Sequence, residues 1–166
     1  MKKRTAQLMA AMIEYDRGDT RRIQHFVKVH DFAAAIGALE NVDEETQNIL
    51  EAAAILHDIG IHLSEQKYGS GAGHYQEIEG PAEAEKVLRE VGGFSKEETE
   101  RIKYLIGHHH TYQNIQGMDY QILVEADFLV NLYEDSLSDE AVRAARERIF
   151  RTSAGLHFLD EMFLKK

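Results

Sequence analysis

Apolar residues recur along nearly the whole chain at spacings of three and four, which is the period of an amphipathic α-helix. No stretch shows the sustained alternation that is typical of a half-buried strand. Capping residues, glycines and the single proline divide the pattern into segments. The pattern predicts an all-α fold of about six to eight helices, near residues 3–16, 20–39, 43–60, 81–92, 95–109, 119–134 and 138–152, with a short helix at the end.

The segment from residue 61 to residue 80 interrupts this pattern because it contains four glycines. We expect a long loop there, and a loop of that length inside a compact domain is often functional. Pro81 is then predicted to lie in the first turn of the next helix, where a missing backbone N–H is tolerated. The cluster GSGAG at residues 69–73 lacks the strand, the lysine and the spacing of a phosphate-binding loop, so a flexible lid or site wall is favoured.

Composition and charge exclude several classes of function. A length of 166 residues suits one domain, predicted over residues 1–166. The formal net charge of −10 disfavours nucleic-acid polymers and anionic membranes as partners. The absence of cysteine excludes disulfides, thiolate catalysis and cysteine zinc sites. There is no signal peptide and no apolar run long enough to span a bilayer, so a cytoplasmic location is expected. The oligomeric state stays open, with a homodimer as one option.

Polar residues occupy core positions on four of the predicted helices. Each lies in an apolar stripe with helical spacing, and the four are His25, His57, His109 and Asp127. Burying an isolated imidazole or carboxylate is costly unless the group is paired or binds a metal. One shared metal site would compensate all four groups together.

Asp58 adds a carboxylate directly after His57, about 100° further round the helix. A carboxylate in that place can bridge two metals or hold a water between them, which generates a hydroxide nucleophile at neutral pH. Imidazole and carboxylate ligands together suit iron, manganese, zinc, nickel or cobalt. The residues therefore predict a hydrolytic metal site with His57 and Asp58 at its catalytic centre.

In these residues the chain resembles the HD superfamily of metal-dependent phosphohydrolases. The motif is a histidine, a His-Asp pair and a distant aspartate on separate helices, present here as His25 in HFVKVHDFA, His57-Asp58 in AAAILHDIG and Asp127 in VEADFLVN. The flanking residues also agree with the family pattern, namely Val29, Ala33, Ile59, Gly60 and Ala126. The resemblance covers residues 20–135 and implies an HD-type helical domain in which His25, His57, Asp58 and Asp127 bind one metal. The isolated His30-Asp31 dipeptide is interpreted as chance.

The additional histidines are similar to those of HD members that hold two or three metals. Such members use a histidine before a glycine-initiated helix and a His-His pair at a helix end. The resemblance implies a second divalent transition metal bound by His108 and His109, with His74 as a further candidate, His110 undecided and Asp58 bridging. This chain departs from the pattern in two places. Gln76 and Glu77 stand where the middle histidine is usual, and the Gly-Tyr-Pro signature of the cyclic-di-GMP phosphodiesterases is absent.

The function implied by the resemblance is hydrolysis of a phosphoester in a nucleotide or another small phosphorylated metabolite. Two alternatives remain open, a metal- or nucleotide-binding sensor with negligible turnover and an HD-type di-iron oxygenase. The absence of a Glu-x-x-His ligand motif excludes only the ferritin-like kind of di-iron enzyme. The residues that select the substrate are not readable from the sequence, although Arg22, Lys28, His62 and Lys67 are candidates for contact with a phosphate.

Overall fold

The structure, a computed structural model, describes residues 1–165 of the chain, and its regular secondary structure is all helical. The helices are α1 (Lys3–Tyr15), α2 (Thr20–Leu39), α3 (Glu44–Leu56), α4 (Ile61–Tyr68), α5 (Gly73–Val91), α6 (Lys96–Ile106), α7 (Met118–Glu134), α8 (Asp139–Arg148) and α9 (Ser153–Leu159), followed by a π-helical turn (Asp160–Leu164). No β-strand occurs in residues 1–165. The prediction of an all-α fold is confirmed.

Side-chain caps begin most of the helices whose starts the sequence predicts. Asp19 accepts a hydrogen bond from the backbone N–H of Arg22 at 3.1 Å, and Asp43 accepts one from Thr46 at 2.9 Å. Ser95 and Glu98 form a reciprocal capping box at the start of α6. The helix predicted to run to residue 152 ends at Arg148 instead. Thr152 caps the separate helix α9.

The prediction of a long loop over residues 61–80 was wrong, because α4 and the first half of α5 occupy this segment. Gly69, in the left-handed conformation at φ 67°, ends α4. Gly80 lies inside α5, and its backbone packs closely against Gly60, where an added Cβ atom would come within 2.6 Å of the Gly80 backbone nitrogen. Pro81 therefore lies in the interior of α5 and not in its first turn. These glycines mark close helix contacts as well as helix ends.

Helices α2, α3, α6 and α7 form the centre of the fold. Helix α2 packs against α3 and α7, and α3 also packs against α6 and α7. Phe26, Ala53, Leu105 and Leu123, one from each of these helices, are fully buried. The remaining helices surround this group, with α1 and α4 both packing against α5. The four central helices bring their polar core residues to one place.

Within residues 1–165, no helix is both long and apolar enough to cross a membrane.

Candidate metal centre

Five polar side chains that the sequence predicts as metal ligands meet at one point. They come from α2, the turn after α3, the turn after α6, and α7, and they are His25, His57, Asp58, His109 and Asp127. The Nε2 atom of His25 lies 3.1 Å from Nε2 of His57 and 3.2 Å from Oδ1 of Asp127. His57 and His109 are completely buried, and Asp127 is 2% exposed. The cluster therefore lies within the core and not on the surface.

Backbone carbonyls fix the orientation of two of these imidazoles. The Nδ1–H of His57 donates to the carbonyl oxygen of Ala54 at 2.8 Å, and the Nδ1–H of His109 donates to that of Ile106 at 2.8 Å. A carbonyl oxygen can only accept, so the proton of each neutral ring is on Nδ1 and the Nε2 lone pair faces the cluster. Such outer hydrogen bonds are typical of histidines that bind metals.

Asp58 lies between two sets of imidazoles. Its Oδ2 atom is 3.7 Å from Nε2 of His25 and 3.6 Å from Nε2 of His57. Its Oδ1 atom is 3.0 Å from Nε2 of His109 and 3.6 Å from Nε2 of His110. Each oxygen therefore faces a different pair of histidines, which is the geometry that a bridging carboxylate requires.

Two further residues on α7 support the cluster from outside. The amide of Asn131 donates to Oδ1 of Asp127 at 2.9 Å. Glu134 accepts from Nδ1 of His25 at 2.9 Å and also from the ammonium group of Lys28 at 2.5 Å. Asp127, Asn131 and Glu134 have the spacing i, i+4 and i+7 and so share one face of the helix. That spacing is a signal in the sequence that the prediction missed.

The charges around the cluster keep the carboxylate of Asp58 ionised and keep a proton on His25. Burial alone would lower the pKa of His25, but Asp127, Asp58 and Glu134 raise it to about 9. Burial raises the pKa of Asp58, yet His57, His109 and His110 hold it well below its usual range. Burial lowers the pKa of His109, which keeps this ring neutral near pH 7. A metal ion would therefore have to displace a proton from His25 to bind here.

The donor set fits a divalent transition metal. Neutral imidazole nitrogens and carboxylate oxygens are the ligands that zinc, iron and manganese accept. Because the proton of the neutral His109 ring is on Nδ1, the lone pair of its Nε2 faces Oδ1 of Asp58 at 3.0 Å. Lone pairs that face one another without an intervening proton are unfavourable, and a cation between them would remove the conflict.

Comparisons with known proteins place the chain in one family. The family model described as "HD domain" matches residues 22–147 of this chain. The chain belongs to the HD-domain family. A solved structure, described as a predicted HD superfamily hydrolase from an uncultured Thermotogales bacterium, is similar, with a TM-score of 0.65 and 20% sequence identity. The match covers 94% of this chain and 83% of that one, and at this identity it shows the fold alone. No curated protein gives a significant match.

Two of the histidines that the resemblance implied as ligands lie outside the cluster of this HD domain. His108 donates from Nδ1 to the carbonyl oxygen of Tyr104 at 2.7 Å and stacks on the ring of Tyr104. His74 is exposed, and its ring contacts that of Tyr75. Helix α6 ends at Ile106, so the three histidines lie in a turn. This turn directs His109 and His110, but not His108, towards Asp58.

The other candidate residues of the HD domain make separate contacts. His30, of the isolated dipeptide, pairs with Asp31 at 2.9 Å and lies 3.5 Å from Glu51. His62 lies 3.0 Å from Asp16 and 3.1 Å from the guanidinium of Arg22. Lys67 pairs with Glu79 at 2.8 Å. Glu77 accepts from the backbone N–H of His110 at 3.0 Å and so helps to hold the turn that carries the histidines.

Proposed function

We propose that this HD domain is a metal-dependent phosphohydrolase that acts on a small phosphoester. The observation that carries the proposal is the position of Asp58, whose two oxygens face different pairs of histidines at 3.0–3.7 Å. A bridging carboxylate of this kind is a feature of hydrolytic sites with two metals. Membership of the HD-domain family supports the same assignment.

The proposed ligands form two groups that share Asp58. His25, His57, Asp127 and the Oδ2 atom of Asp58 would hold the first metal. His109, His110 and the Oδ1 atom of Asp58 would hold the second. His110 takes the place that the sequence suggested for His108, because His110 lies 3.6 Å from Asp58 whereas His108 bonds to Tyr104. His74 is not part of the proposed site, because it belongs to none of the clusters of histidines and carboxylates in residues 1–165 that could hold a metal.

The chain supplies orientation and charge to the reaction. A bound divalent metal would lower the pKa of a water molecule to about 7 and neutralise phosphoryl oxygens. Glu134 receives the Nδ1–H of His25 and so leaves Nε2 directed at the cluster. Asn131 holds Asp127 in the same way, by donating to Oδ1 at 2.9 Å. Ligands held by outer hydrogen bonds need little rearrangement when the substrate binds, which favours catalysis by preorganisation.

The space around the cluster suits a small substrate. One cavity of about 310 Å³ is lined by His25 and Asp58 together with Arg21, Arg22 and Asn131. This volume is at the lower end of the range for small-molecule sites, which is roughly 300–1,000 Å³. Arg22 is held beside it by Glu65 at 2.6 Å and Asp19 at 3.1 Å. A net charge of −10 also opposes the approach of an anionic polymer.

A panel of substrates tests the proposal. Metal-depleted protein is reloaded separately with manganese, iron, cobalt, nickel or magnesium and assayed on mononucleotides, cyclic nucleotides, sugar phosphates and cyclic dinucleotides. We expect metal-dependent release of phosphate, or opening of the phosphodiester, for a small phosphoester and weak or no cleavage of cyclic dinucleotides. Inactivity across the panel, with the metals shown to be bound, would instead favour a sensor. Oxygen consumption by the iron-loaded protein would favour an oxygenase.

A further inference from the structure

Three consecutive histidines follow α6, and the fold directs only two of them towards Asp58. The Nε2 atoms of His109 and His110 lie 3.0 and 3.6 Å from Oδ1 of Asp58, whereas His108 bonds back to a carbonyl oxygen of α6. Helix α6 ends before the first of these histidines, so the helix alone does not set their directions. The segment that carries them, residues 107–111, is called the histidine turn below, and contacts from other helices hold it in place.

Glu77 of α5 holds the histidine turn from one side. Its Oε1 atom accepts a hydrogen bond from the backbone N–H of His110 at 3.0 Å and another from the hydroxyl of Thr111 at 3.0 Å. Hydrogen bonds to a charged acceptor are stronger than those between neutral groups. Because the first of these bonds is made to the main chain of His110, it fixes the backbone from which the imidazole of that residue extends.

Tyr120 of α7 holds the histidine turn from the opposite side. This residue is 1% exposed, and its hydroxyl donates to the carbonyl oxygen of His108 at 2.7 Å and also contacts the carbonyl oxygen of Thr111. The two residues between these carbonyl groups are His109 and His110. The hydroxyl therefore spans the part of the turn that carries both proposed ligands.

Gly73, the first residue of α5, leaves the space that the ring of His110 occupies. A Cβ atom on Gly73 would lie 2.7 Å from Cγ of that ring and 3.0 Å from the Cβ atom of His110. Carbon atoms that are not bonded pack best at about 3.5–4.0 Å, so such a side chain would push the ring aside. The direction of the imidazole thus depends on α5 twice, through Glu77 and through Gly73.

We propose that Glu77 and Tyr120 are positioning residues for the second metal, which hold the histidine turn so that His110 faces Asp58. The inference rests on the proposed function for the existence of that metal position. In this assignment Glu77 acts through the backbone of His110 and is not itself a ligand, since donors of the turn occupy its Oε1 atom. Outer hydrogen-bond partners of this kind orient the ligands of a metal and so set its affinity.

Metal binding without any substrate tests the proposal. Manganese is titrated into the metal-depleted protein and followed by calorimetry, which should show two binding steps for the wild type. We expect Glu77→Ala to weaken one step by about 10- to 100-fold, which is the usual effect of losing an outer partner of a ligand, and to leave the other step unchanged. Glu77→Gln keeps an acceptor for the N–H of His110 and should restore the affinity to within a few-fold of the wild type.

Two further variants change the histidine turn by independent routes. Tyr120→Phe removes the hydroxyl but keeps the ring, and Gly73→Ala displaces the ring of His110. Each should weaken the same binding step, so the proposal remains testable even if the alanine variant of α5 does not fold. Tyr104→Phe is the matched control, because the ring of Tyr104 also packs on the turn, against His108 at 4.1 Å, and both binding steps should be unchanged.

Two readouts distinguish positioning from a general loss of structure. In a His110→Ala background, Glu77→Ala should have no further effect on metal affinity, because residues that act through one another are not additive. In the metal-free protein the backbone N–H of His110 should exchange slowly with solvent, and Glu77→Ala should accelerate its exchange. The exchange of Ile102, a buried residue of α6, should stay the same in both proteins.

The outcomes separate this proposal from the proposed function. If the weaker step depends on Glu77 and Tyr120 but no phosphoester is hydrolysed, the positioning assignment stands and the hydrolase assignment fails. A single binding step in the wild type would overturn the positioning assignment and leave hydrolysis at one metal intact. An equal loss in Glu77→Gln and Glu77→Ala would make the carboxylate a ligand and also overturn the proposal. Unchanged binding in both Glu77→Ala and Tyr120→Phe would do the same.

Discussion

The Oδ1 atom of Asp58 lies 3.0 Å from Nε2 of His109, which joins the turn after α3 to the turn after α6. The other oxygen of Asp58 faces His25 and His57 at 3.7 and 3.6 Å. Because one carboxylate contacts both groups of histidines, its removal would affect both proposed metals at once.

Asp58→Ala should abolish turnover, since the change deletes a ligand of each proposed metal. We expect a decrease in kcat/KM of at least about a thousandfold, comparable to the loss of a major electrostatic contribution to the transition state. The measurement is steady-state kinetics on the best substrate of the panel. Asp31→Ala, in the dipeptide outside the cluster, is the control and should stay within a few-fold of the wild type. A reversal of the two effects would show that the wrong His-Asp pair has been chosen.

His109→Ala should reduce the metal content by about one ion per chain under saturating conditions, because its Nε2 faces the second proposed position. His108→Ala is the matched control from the same turn, and its metal content should equal that of the wild type because His108 bonds to Tyr104. Elemental analysis of the purified variants provides the measurement. A wild type that holds only one metal at saturation would refute the binuclear site, even if the first position survives.

Removal of metal should lower the melting temperature, because the ligands converge only in the folded chain. A metal present at 100 times its Kd stabilises the folded state by about 2.7 kcal/mol. For a chain of this size that corresponds to a decrease of roughly 5–10 °C on chelation. Readdition of manganese, iron or zinc should restore the original value in a thermal melt. An unchanged melting curve after verified metal removal would count against the site.

Asp16, which is not one of the proposed metal ligands, should make the stability of the fold depend on pH. Burial raises its pKa to about 6, and the nearby His62 and Arg22 side chains offset only part of this effect. A carboxyl with a raised pKa in the folded state stabilises the fold at low pH and loses that contribution as the pH rises through about 6. Asp16→Asn should therefore melt at a higher temperature than the wild type at pH 7.5, and the difference should disappear towards pH 4.

Thermal melts of both proteins across this range provide the measurement. Glu14→Gln is the control, because Glu14 is exposed and makes no ion pair with a titratable side chain among residues 1–165, so its change should shift the melting temperature equally at all pH values. A difference between Asp16→Asn and the wild type that stays constant with pH would show that the carboxyl does not titrate as described.

The spacing of apolar residues predicted both the helices and the buried polar residues of the site. A polar residue within an apolar stripe must be buried, so His25, His57, His109 and Asp127 could be placed in the core without knowledge of the fold. The structure brings these four side chains together with Asp58.

The features that the sequence did not predict are set by contacts between segments that are distant along the chain. Gly60 was predicted to end a helix and Gly80 to lie in a loop, but their close approach, which a Cβ atom on Gly60 would prevent, was not predicted. The direction of His110 depends on the turn that follows α6, and Glu77 of α5 holds that turn through the backbone of His110. Such turn geometry is set by tertiary contacts and not by the local pattern.

Anomalous diffraction from crystals of the metal-loaded protein would locate the metals of the proposed site. We expect one peak at bonding distance from His25, His57, Asp58 and Asp127, and a second at bonding distance from Asp58, His109 and His110, with elemental analysis giving about two ions per chain. The absence of any peak among these residues under saturating metal, or a peak at His30 and Asp31 instead, would contradict the proposed site.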